Sequence, residues 1–274
     1  MENRKPKLLI VDADLFIFLS AWQFRDSCNK IGAMGARNKL SSLYNDLLEK
    51  INPDFIISFF GGINGRNYRY DFAELRPYKG HRNAEPYLDY FKPILKEHME
   101  KAHNMYPCMH VEADDAVSIA AYKYKDDYEL VFCFEDKDLK QIAYFANITM
   151  TQYNLKDKKF TFITPEDGMK AWYYQCLCGD STDNIAGVEG IGKVGAEKII
   201  NSIQPCTEEN CFNTIRDAYI KKYSLQLYEP IMLENWILLQ MLNKNRFDFD
   251  IDSVPLQTYN NKKEEKHLKT LNDL

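Results

Sequence analysis

Carboxylate side chains gather in three short segments of this chain, which read VEADD at 111–115, EDKD at 135–138 and GDSTDNI at 179–185. Bringing so many carboxylates together causes strong repulsion unless divalent cations fill the site, and ligands that are all oxygen select Mg²⁺ or Mn²⁺ over zinc. Any one of these acids alone would be interpreted as a helix cap or a solvated turn residue, but three clusters favour a metal-dependent enzyme. The candidate metal ligands are Asp12, Glu112, Asp114, Asp115, Asp136, Asp138, Asp180 and Asp183.

The spacing within each cluster lets its acids act together. Asp136 and Asp138 follow an apolar run and lie two residues apart, so both side chains can face the same side. Asp114 and Asp115 begin a predicted helix, where the helix dipole favours negative charge. Asp180 and Asp183 lie three residues apart and would share one face of a helical turn.

A glycine-rich segment, GVEGIGKVGAEKII at 187–200, follows the third acidic cluster directly. Glycines allow the backbone to approach a phosphate closely, and the free N–H groups at the start of a helix bind it. The alternative is a purely structural helix–turn–helix corner, and the position beside the acids favours the phosphate. The candidate contacts to a nucleic-acid backbone here are Gly190, Gly192, Lys193, Gly195 and Lys198.

A second candidate surface, RNYRYDFAELRPYKGHR at 66–82, mixes cations with aromatic residues. This mixture is suited to a phosphate backbone with stacked bases. A solvated loop over a small aromatic core explains the same pattern equally well. The candidate cations are Arg66, Arg69, Arg76, Lys79 and Arg82.

Alternating apolar and amphipathic segments predict an α/β fold with a mostly parallel central sheet flanked by helices. Short apolar runs at 8–14, 55–62 and 129–138 predict strands, and the segments 148–153 and 159–164 predict a hairpin or two further strands. Helices are predicted at about 37–50, 86–103 and 113–126. The acids follow the strands, at the edge where ligands of such sheets collect.

The chain is expected to have two parts, an α/β core at 1–165 and a helical region at 166–274 with a polar tail from about 260. Its 45% hydrophobic and 27% charged residues are typical of a globular protein, and no apolar run is long enough to span a membrane. Seven scattered cysteines fit reduced thiols in the cytoplasm. The net charge of −5 becomes slightly positive if the eight candidate ligands are set aside, which is compatible with a nucleic-acid partner.

These motifs, in this order, resemble the 5′-nuclease superfamily: flap endonucleases, the 5′-exonuclease domains of bacterial DNA polymerase I, and stand-alone phage 5′–3′ exonucleases. The resemblance extends from about Lys7 to about Ile203, and its most specific parts are GDSTDNIAGVEGIGKVGA and VEADDA. LLIVDAD, EDKDLKQI and YRYDFAELRPYKGHR support it. A compact chain of this size is most similar to a phage enzyme, which would act in the host cytoplasm.

The resemblance implies a PIN-like nuclease core, a helical arch at about 80–110 and a helix–hairpin–helix at about 184–203. It implies two Mg²⁺ or Mn²⁺ ions, and a K⁺ ion at the helix–hairpin–helix. Lys79 and Arg82 would be catalytic residues at the base of the arch, and Arg69 would lie near the scissile phosphate. The first-metal ligands would be Asp12, Glu112, Asp114 and Asp136. The second-metal ligands would be Asp115, Asp138, Asp180 and Asp183.

The implied activity is that of a structure-specific 5′-nuclease, which hydrolyses phosphodiesters at single-strand/duplex junctions. Its substrates would be branched or 5′-flap DNA and RNA/DNA primers, during DNA replication. The chain is expected to be a monomer that works beside replication proteins such as a single-strand-binding protein or a polymerase.

One position departs from the family pattern. The family has an aspartate near the end of its second strand, and aligning Gly65, Tyr68 and Arg69 places Gly62 there. The alternative function is therefore a junction-binding homologue that cuts weakly or not at all, and Gly62→Asp is expected to raise activity or metal affinity. A further alternative is an RNA-directed nuclease of a related α/β fold.

Overall fold

A computed structural model of the chain describes residues 4–62, 66–81 and 85–259. It contains a seven-stranded sheet with helices on both faces, followed by a layer of helices. The strands are β1 Lys7–Asp12, β2 Phe55–Gly61, β3 Tyr106–Cys108, β4 Glu129–Cys133, β5 Met150–Asn154, β6 Lys159–Ile163 and β7 Gln257–Thr258. The α-helices are α1 Asp14–Gln23, α2 Lys30–Ile51, α3 Arg69–Phe72, α4 Pro86–His103, α5 Ala113–Tyr124, α6 Gln141–Phe145, α7 Pro165–Cys178, α8 Lys193–Ser202, α9 Glu208–Tyr223 and α10 Tyr228–Leu239.

The sheet is mostly parallel, as predicted. Its order is β3-β2-β1-β4-β5-β6, and β1 lies in the centre between β2 and β4. β6 runs antiparallel to β5 as the predicted hairpin, and β7 pairs antiparallel with the start of β2. Because β1, β2 and β4 are parallel, the residues that follow them lie at one edge of the sheet.

Both faces of the sheet are covered by apolar helices, which explains the unbroken apolar runs. Leu8 and Ile10 of β1 point to a cluster with α5 and α6, while Leu9 and Val11 point to a cluster with α1, α2 and α4. The helix predicted at about 37–50 begins earlier, at Lys30, because the Asn29 side chain accepts two backbone N–H groups and caps it.

The part of the chain after residue 165 forms a third apolar cluster around the fully buried Trp172. This part begins with α7, where the side chain of Thr164 forms a capping box with Asp167. The predicted extent of the helical region is wrong at its far end. Residues 241–258 return to the core, where Met241 and Phe249 join the first cluster and β7 joins the sheet.

The segment assigned to a helical arch, about 80–110, consists largely of core elements among its described residues. Leu88, Phe91, Leu95 and Met99 of α4 are buried against α1 and α2, and β3 extends the sheet. The predicted arch therefore extends too far, because the apolar face of α4 is covered. Residues 82–84, which include the candidate Arg82, lie outside the described residues, as does the predicted polar tail from 260.

Across the described ranges, no helix is both long and apolar enough to cross a membrane.

Candidate metal centre

All the predicted acids except Asp115 come together at the carboxyl edge of the sheet. Asp12 is the last residue of β1, and Asp136 lies just after β4 at the start of a short 3₁₀ helix, Lys137–Lys140. Glu112 caps α5, whose first turn holds Asp114. Asp180 and Asp183 come from the loop after α7. The strand order thus gathers carboxylates from segments far apart in sequence.

The first group of carboxylates is buried and mutually repulsive. Burial, together with the charges of Asp14, Asp136 and Glu112, raises the pKa of Asp12 well above its usual range. Burial and the charges of Asp12, Asp136 and Glu112 do the same to the pKa of Asp114. These groups resist ionisation until positive charge is supplied.

A second group continues from the first through Asp136. Burial raises the pKa of Asp136, and the charges of Asp180 and Asp183 raise it further. Burial and the charge of Asp136 raise the pKa of Asp138 to about 8. Burial opposes ionisation of Asp180, but hydrogen bonds from Asp138 and from backbone N–H groups outweigh it and lower the Asp180 pKa. The pKa of Asp138 is therefore raised while that of its neighbour Asp180 is lowered, so a proton at this pair favours Asp138.

Tyr78 and Lys79 join the two groups. The Tyr78 hydroxyl lies 3.0 Å from Glu112 Oε2 and 2.7 Å from Asp183 Oδ2. Lys79 Nζ donates to Glu112 Oε1 and lies 3.8 Å from Asp183 Oδ2, which puts this predicted catalytic lysine among the acids. Burial opposes ionisation of Glu112, but the Lys79 and Arg69 charges outweigh it and lower the Glu112 pKa. Nothing in the sequence singled out Tyr78 as part of this site.

Asp14 is a further carboxylate of the site that the sequence analysis missed. Its Oδ2 accepts the backbone N–H of Gly61 at 3.1 Å, so it lies between the ends of β1 and β2. Burial raises its pKa, while the charges of Lys96 and Lys79 oppose the rise. The signal was present, because Asp12 and Asp14 have the same two-residue spacing after a strand as Asp136 and Asp138.

The donor set suits hard divalent cations, because it consists of carboxylate oxygens. The buried Oδ1 of Asp138 accepts no hydrogen bond from any described residue, which leaves it available as a ligand. Within the described ranges, however, no three carboxylate, histidine or cysteine groups are already arranged to hold one ion. Cation binding would draw these side chains together.

Asp115 does not belong to the metal centre, which corrects the prediction. Its oxygens lie 2.6 and 2.9 Å from the Arg69 guanidinium, and one of them also accepts the Leu242 N–H at 3.0 Å. Arg69 is 3% exposed, and its remaining donors bind the carbonyls of Leu238 and Gln240. The buried pair gives Arg69 a structural role, and its Nη1 also lies 3.6 Å from Glu112 Oε2 of the metal centre. Its contact with the scissile phosphate stays a prediction.

The backbone around Gly62 requires a glycine, so this position is more than the site of a missing metal ligand. A Cβ atom there would lie 2.6 Å from the Cys108 carbonyl oxygen and 2.7 Å from Met109 Sδ. The Gly62 N–H donates to that same carbonyl, which fixes the close approach of β2 and β3. The structure leaves no room for an aspartate at this position.

Gly62→Asp and Gly62→Ala are therefore expected to lower the free energy of unfolding by about 1–3 kcal/mol through overpacking. This reverses the expectation that Gly62→Asp raises activity. Gly195→Ala in α8 is the control, because its Cβ would meet Ile191 Cγ2 at an ordinary 3.5 Å. Urea unfolding of the three variants measures the difference, and an unchanged stability for Gly62→Ala would contradict the close contact.

The glycine-rich turn begins α8 and has an open side. Gly190 has φ +91°. A Cβ atom added at Gly190, or at Gly192, the N-cap of α8, would have no neighbouring atom within 4 Å. Lys193 and Lys198 are exposed beside it. The range predicted as a helix–hairpin–helix contains one helix, α8, which packs against α7, so α7 and α8 form the helix pair around this turn.

The cation-rich segment 66–81 is only partly a surface. Tyr68 and Tyr78 are buried, as the alternative interpretation proposed, and the Tyr68 ring stacks on Phe247 with centroids 4.5 Å apart. Arg66 and Arg76 are exposed, and Arg66 pairs with Asp71 at 2.7 Å. These two arginines remain candidates for contact with a nucleic acid.

No family model matches the chain. It is similar to curated proteins called 5′–3′ exonucleases. One from Buchnera aphidicola is 29% identical over 267 residues, which cover 91% of this chain and 90% of the relative. One from Mycoplasmopsis pulmonis is 27% identical over 170 residues, which cover 58% of this chain and 54% of the relative. DNA polymerase I of Bacillus subtilis is 26% identical over 243 residues, which cover 84% of this chain but only 27% of the polymerase.

Solved structures share the fold. The bacteriophage T5 protein co-crystallised with metal ions has a TM-score of 0.61 and 19% identity, covering 85% of this chain and 88% of that chain. The T5 flap endonuclease in a pseudo-enzyme-product complex with DNA and metal ions has a TM-score of 0.56 and 17% identity, covering 85% and 99%. The curated relatives thus confirm the resemblance to 5′-nucleases that the motifs indicated, and the solved structures confirm the fold.

Proposed function

We propose that this protein is a metal-dependent 5′-nuclease, with flap endonuclease and 5′–3′ exonuclease activity at single-strand/duplex junctions. The observation that carries the proposal is the convergence of carboxylates from β1, α5, β4 and the loop after α7 at one edge of the sheet. Groups this close to one another are disfavoured unless cations occupy the site.

Two Mg²⁺ or Mn²⁺ ions are the cofactors that the oxygen ligands fit best. They would be held by Asp12, Glu112, Asp114 and Asp136 on one side, and by Asp136, Asp138, Asp180 and Asp183 on the other. When bound, they would lower the pKa of an attacking water and stabilise the leaving 3′-oxygen. K⁺ at the turn before α8 remains part of the proposal.

Lys79 supplies positive charge to the reacting phosphate. Its Nζ lies between Glu112 and Asp183, and when cations neutralise these acids the ammonium is free to bind a phosphate oxygen instead. The Tyr78 hydroxyl keeps the same two carboxylates in register. Arg82 is proposed for the same charge-balancing role as Lys79.

The substrate is proposed to be branched or 5′-flap DNA, and RNA/DNA primers, during replication in the cytoplasm of the cell or of a phage host. The open glycine turn before α8 would hold the duplex backbone, and the exposed Arg66 and Arg76 would contact the strand near the junction. The protein would act as a monomer beside a polymerase or a single-strand-binding protein.

The test is cleavage of a labelled 5′-flap substrate with Mg²⁺ and with EDTA, beside an all-RNA flap of the same sequence. We expect metal-dependent cutting of the DNA flap at the junction. Tight binding of the flap without cutting would favour the junction-binding alternative, and preference for the all-RNA flap would favour an RNA-directed nuclease.

The raised carboxylate pKa values predict how stability depends on pH. Asp12, Asp114, Asp136 and Asp138 bind protons more tightly when folded, so they stabilise the metal-free fold at low pH and lose this effect as the pH rises from about 4 towards 8. Mg²⁺ should therefore raise Tm more at pH 8 than at pH 5.5. At about 100 times its Kd, the bound ion raises the free energy of unfolding by about 2–3 kcal/mol.

Thermal unfolding at both pH values, with Mg²⁺ and with EDTA, measures this effect. Asp126→Asn, an exposed acid after α5, should behave like the parent, whereas Asp138→Asn should reduce the pH dependence of the Mg²⁺ effect. An equal Mg²⁺ effect at both pH values would show that these acids do not bind the ion.

A further inference from the structure

A cationic cleft of about 360 Å³ lies beside the metal centre and outside the residues already assigned to nucleic acid. One wall is the 3₁₀ helix with Lys137 and Lys140, and the opposite wall is α8. The floor is α7, with Lys170 and Gln175. The sequence analysis did not identify this cleft, because its lysines come from separate segments.

The charge of the cleft is opposite to that of the whole chain, which is −5. Three lysines line it, and Glu197 is the one acid among its described lining residues. Two of the lysines have an acidic neighbour, but both lysine side chains are exposed to water, which weakens such pairs. Lys170 pairs with Glu166 at 2.6 Å at an exposed position, and Lys137 lies 4.0 Å from Asp138. A polyanion is the ligand that such a surface attracts.

Gln175 gives a second and independent indication of a ligand. It lines the cleft and is 3% exposed, yet neither Nε2 nor Oε1 of its side chain makes a hydrogen bond to any described residue. A buried amide without partners is unfavourable, and native sites usually supply them. A phosphate oxygen would accept from Nε2, as it would from the lysines.

The position of the cleft defines the path of the ligand. Lys137 stands between the metal-centre residues Asp136 and Asp138. The α8 wall begins at the open glycine turn. The α8 residues that line the cleft are Glu197, Ile200 and Asn201, so the cleft lies along α8 from the glycine turn, on the side of Lys137.

We propose that the cleft binds the phosphodiester backbone of the nucleic-acid strand between the metal centre and the turn before α8. Lys137, Lys140 and Lys170 neutralise its phosphates, and the Gln175 amide donates to one phosphate oxygen. The proposal rests on the proposed nuclease function and names a binding surface for its substrate.

The test uses the full chain and a fluorescent 5′-flap DNA, with Ca²⁺ in place of Mg²⁺ and the intact substrate verified on a gel. The double variant Lys137→Gln/Lys140→Gln and the variant Lys170→Gln are compared with Lys50→Gln, an exposed lysine of α2 in the other apolar layer. We expect the double variant to bind about 10-fold or more weakly, with the slope of log Kd against log salt reduced by about one for each phosphate that the protein no longer neutralises. Lys50→Gln should leave both the affinity and the slope unchanged.

Gln175→Leu tests the amide. We expect several-fold weaker DNA binding, with the salt slope kept because no charge is removed, and a thermal unfolding scan verifies that the variant is folded. A folded Gln175→Leu that binds DNA like the parent would contradict the role of the amide.

Three outcomes separate this inference from the proposed function. A parent protein that does not bind flap DNA would contradict the nuclease proposal itself. A parent that binds and cuts, with lysine variants that match Lys50→Gln, would overturn the cleft alone. In a further arm inorganic phosphate is the probe, and lysine variants that lose phosphate binding but keep DNA binding would show a small-anion site and also overturn the inference.

Discussion

Asp180→Asn should lower the single-turnover rate of flap cleavage by about 10²-fold or more while DNA affinity stays within a few-fold of the parent. Asp180 is buried, and its Oδ1 accepts the backbone N–H groups of Thr182 and Asp183 at 2.6 and 3.4 Å. Asparagine keeps this acceptor oxygen, so the loop keeps its shape. What the substitution removes is the negative charge that a cation requires.

Asp136→Asn, on the other side of the site, should likewise lower the rate of flap cleavage while DNA affinity is kept. Its Oδ1 accepts the Asp138 N–H at 2.9 Å, which asparagine can also do, and its charge acts on both groups of carboxylates. Asp126→Asn is the control, as an exposed acid at the end of α5. If Asp180→Asn and Asp136→Asn both cut like the parent, the metal centre has been assigned to the wrong residues.

The sheet and the place of the site were predictable from the sequence because both depend on local patterns. Apolar runs that end in acids mark parallel strands, and the carboxyl ends of such strands meet at one edge. The β5–β6 hairpin was predictable from two β-rich runs joined by a short polar turn. The position of Lys79 agrees with the resemblance, since it lies among the carboxylates.

What the sequence did not reveal depends on contacts between distant residues. The return of the chain to β2 through β7 is a pairing of two residues on each strand, too short to leave a periodic signal. Gly62 looked like a lost ligand, but its meaning comes from the Cys108 carbonyl on another strand. Asp115 looked like a ligand from its position beside Asp114, yet the guanidinium that binds it comes from a separate helix.

The buried pair of Arg69 and Asp115 carries the largest predicted effect on stability. Arg69→Met should lower the free energy of unfolding by about 3–5 kcal/mol, because it leaves the Asp115 carboxylate buried without its counter-charge. The carbonyls of Leu238 and Gln240, at the end of α10, lose their donors in the same variant. The segment that returns to the sheet is then held less firmly. Urea unfolding measures the loss.

Two further variants isolate the cause. Arg66→Met removes an exposed arginine that also pairs with an aspartate, at 2.7 Å, and should cost less than about 1 kcal/mol because water screens that pair. Adding Asp115→Leu to Arg69→Met should recover part of the lost stability, because it removes the uncompensated charge. An Arg69→Met protein that is as stable as the parent but does not cleave would mean that the arginine acts on the phosphate, as the resemblance first implied. The depth of its burial argues for the structural role, since a guanidinium that is 3% exposed cannot reach a substrate unless α10 moves away.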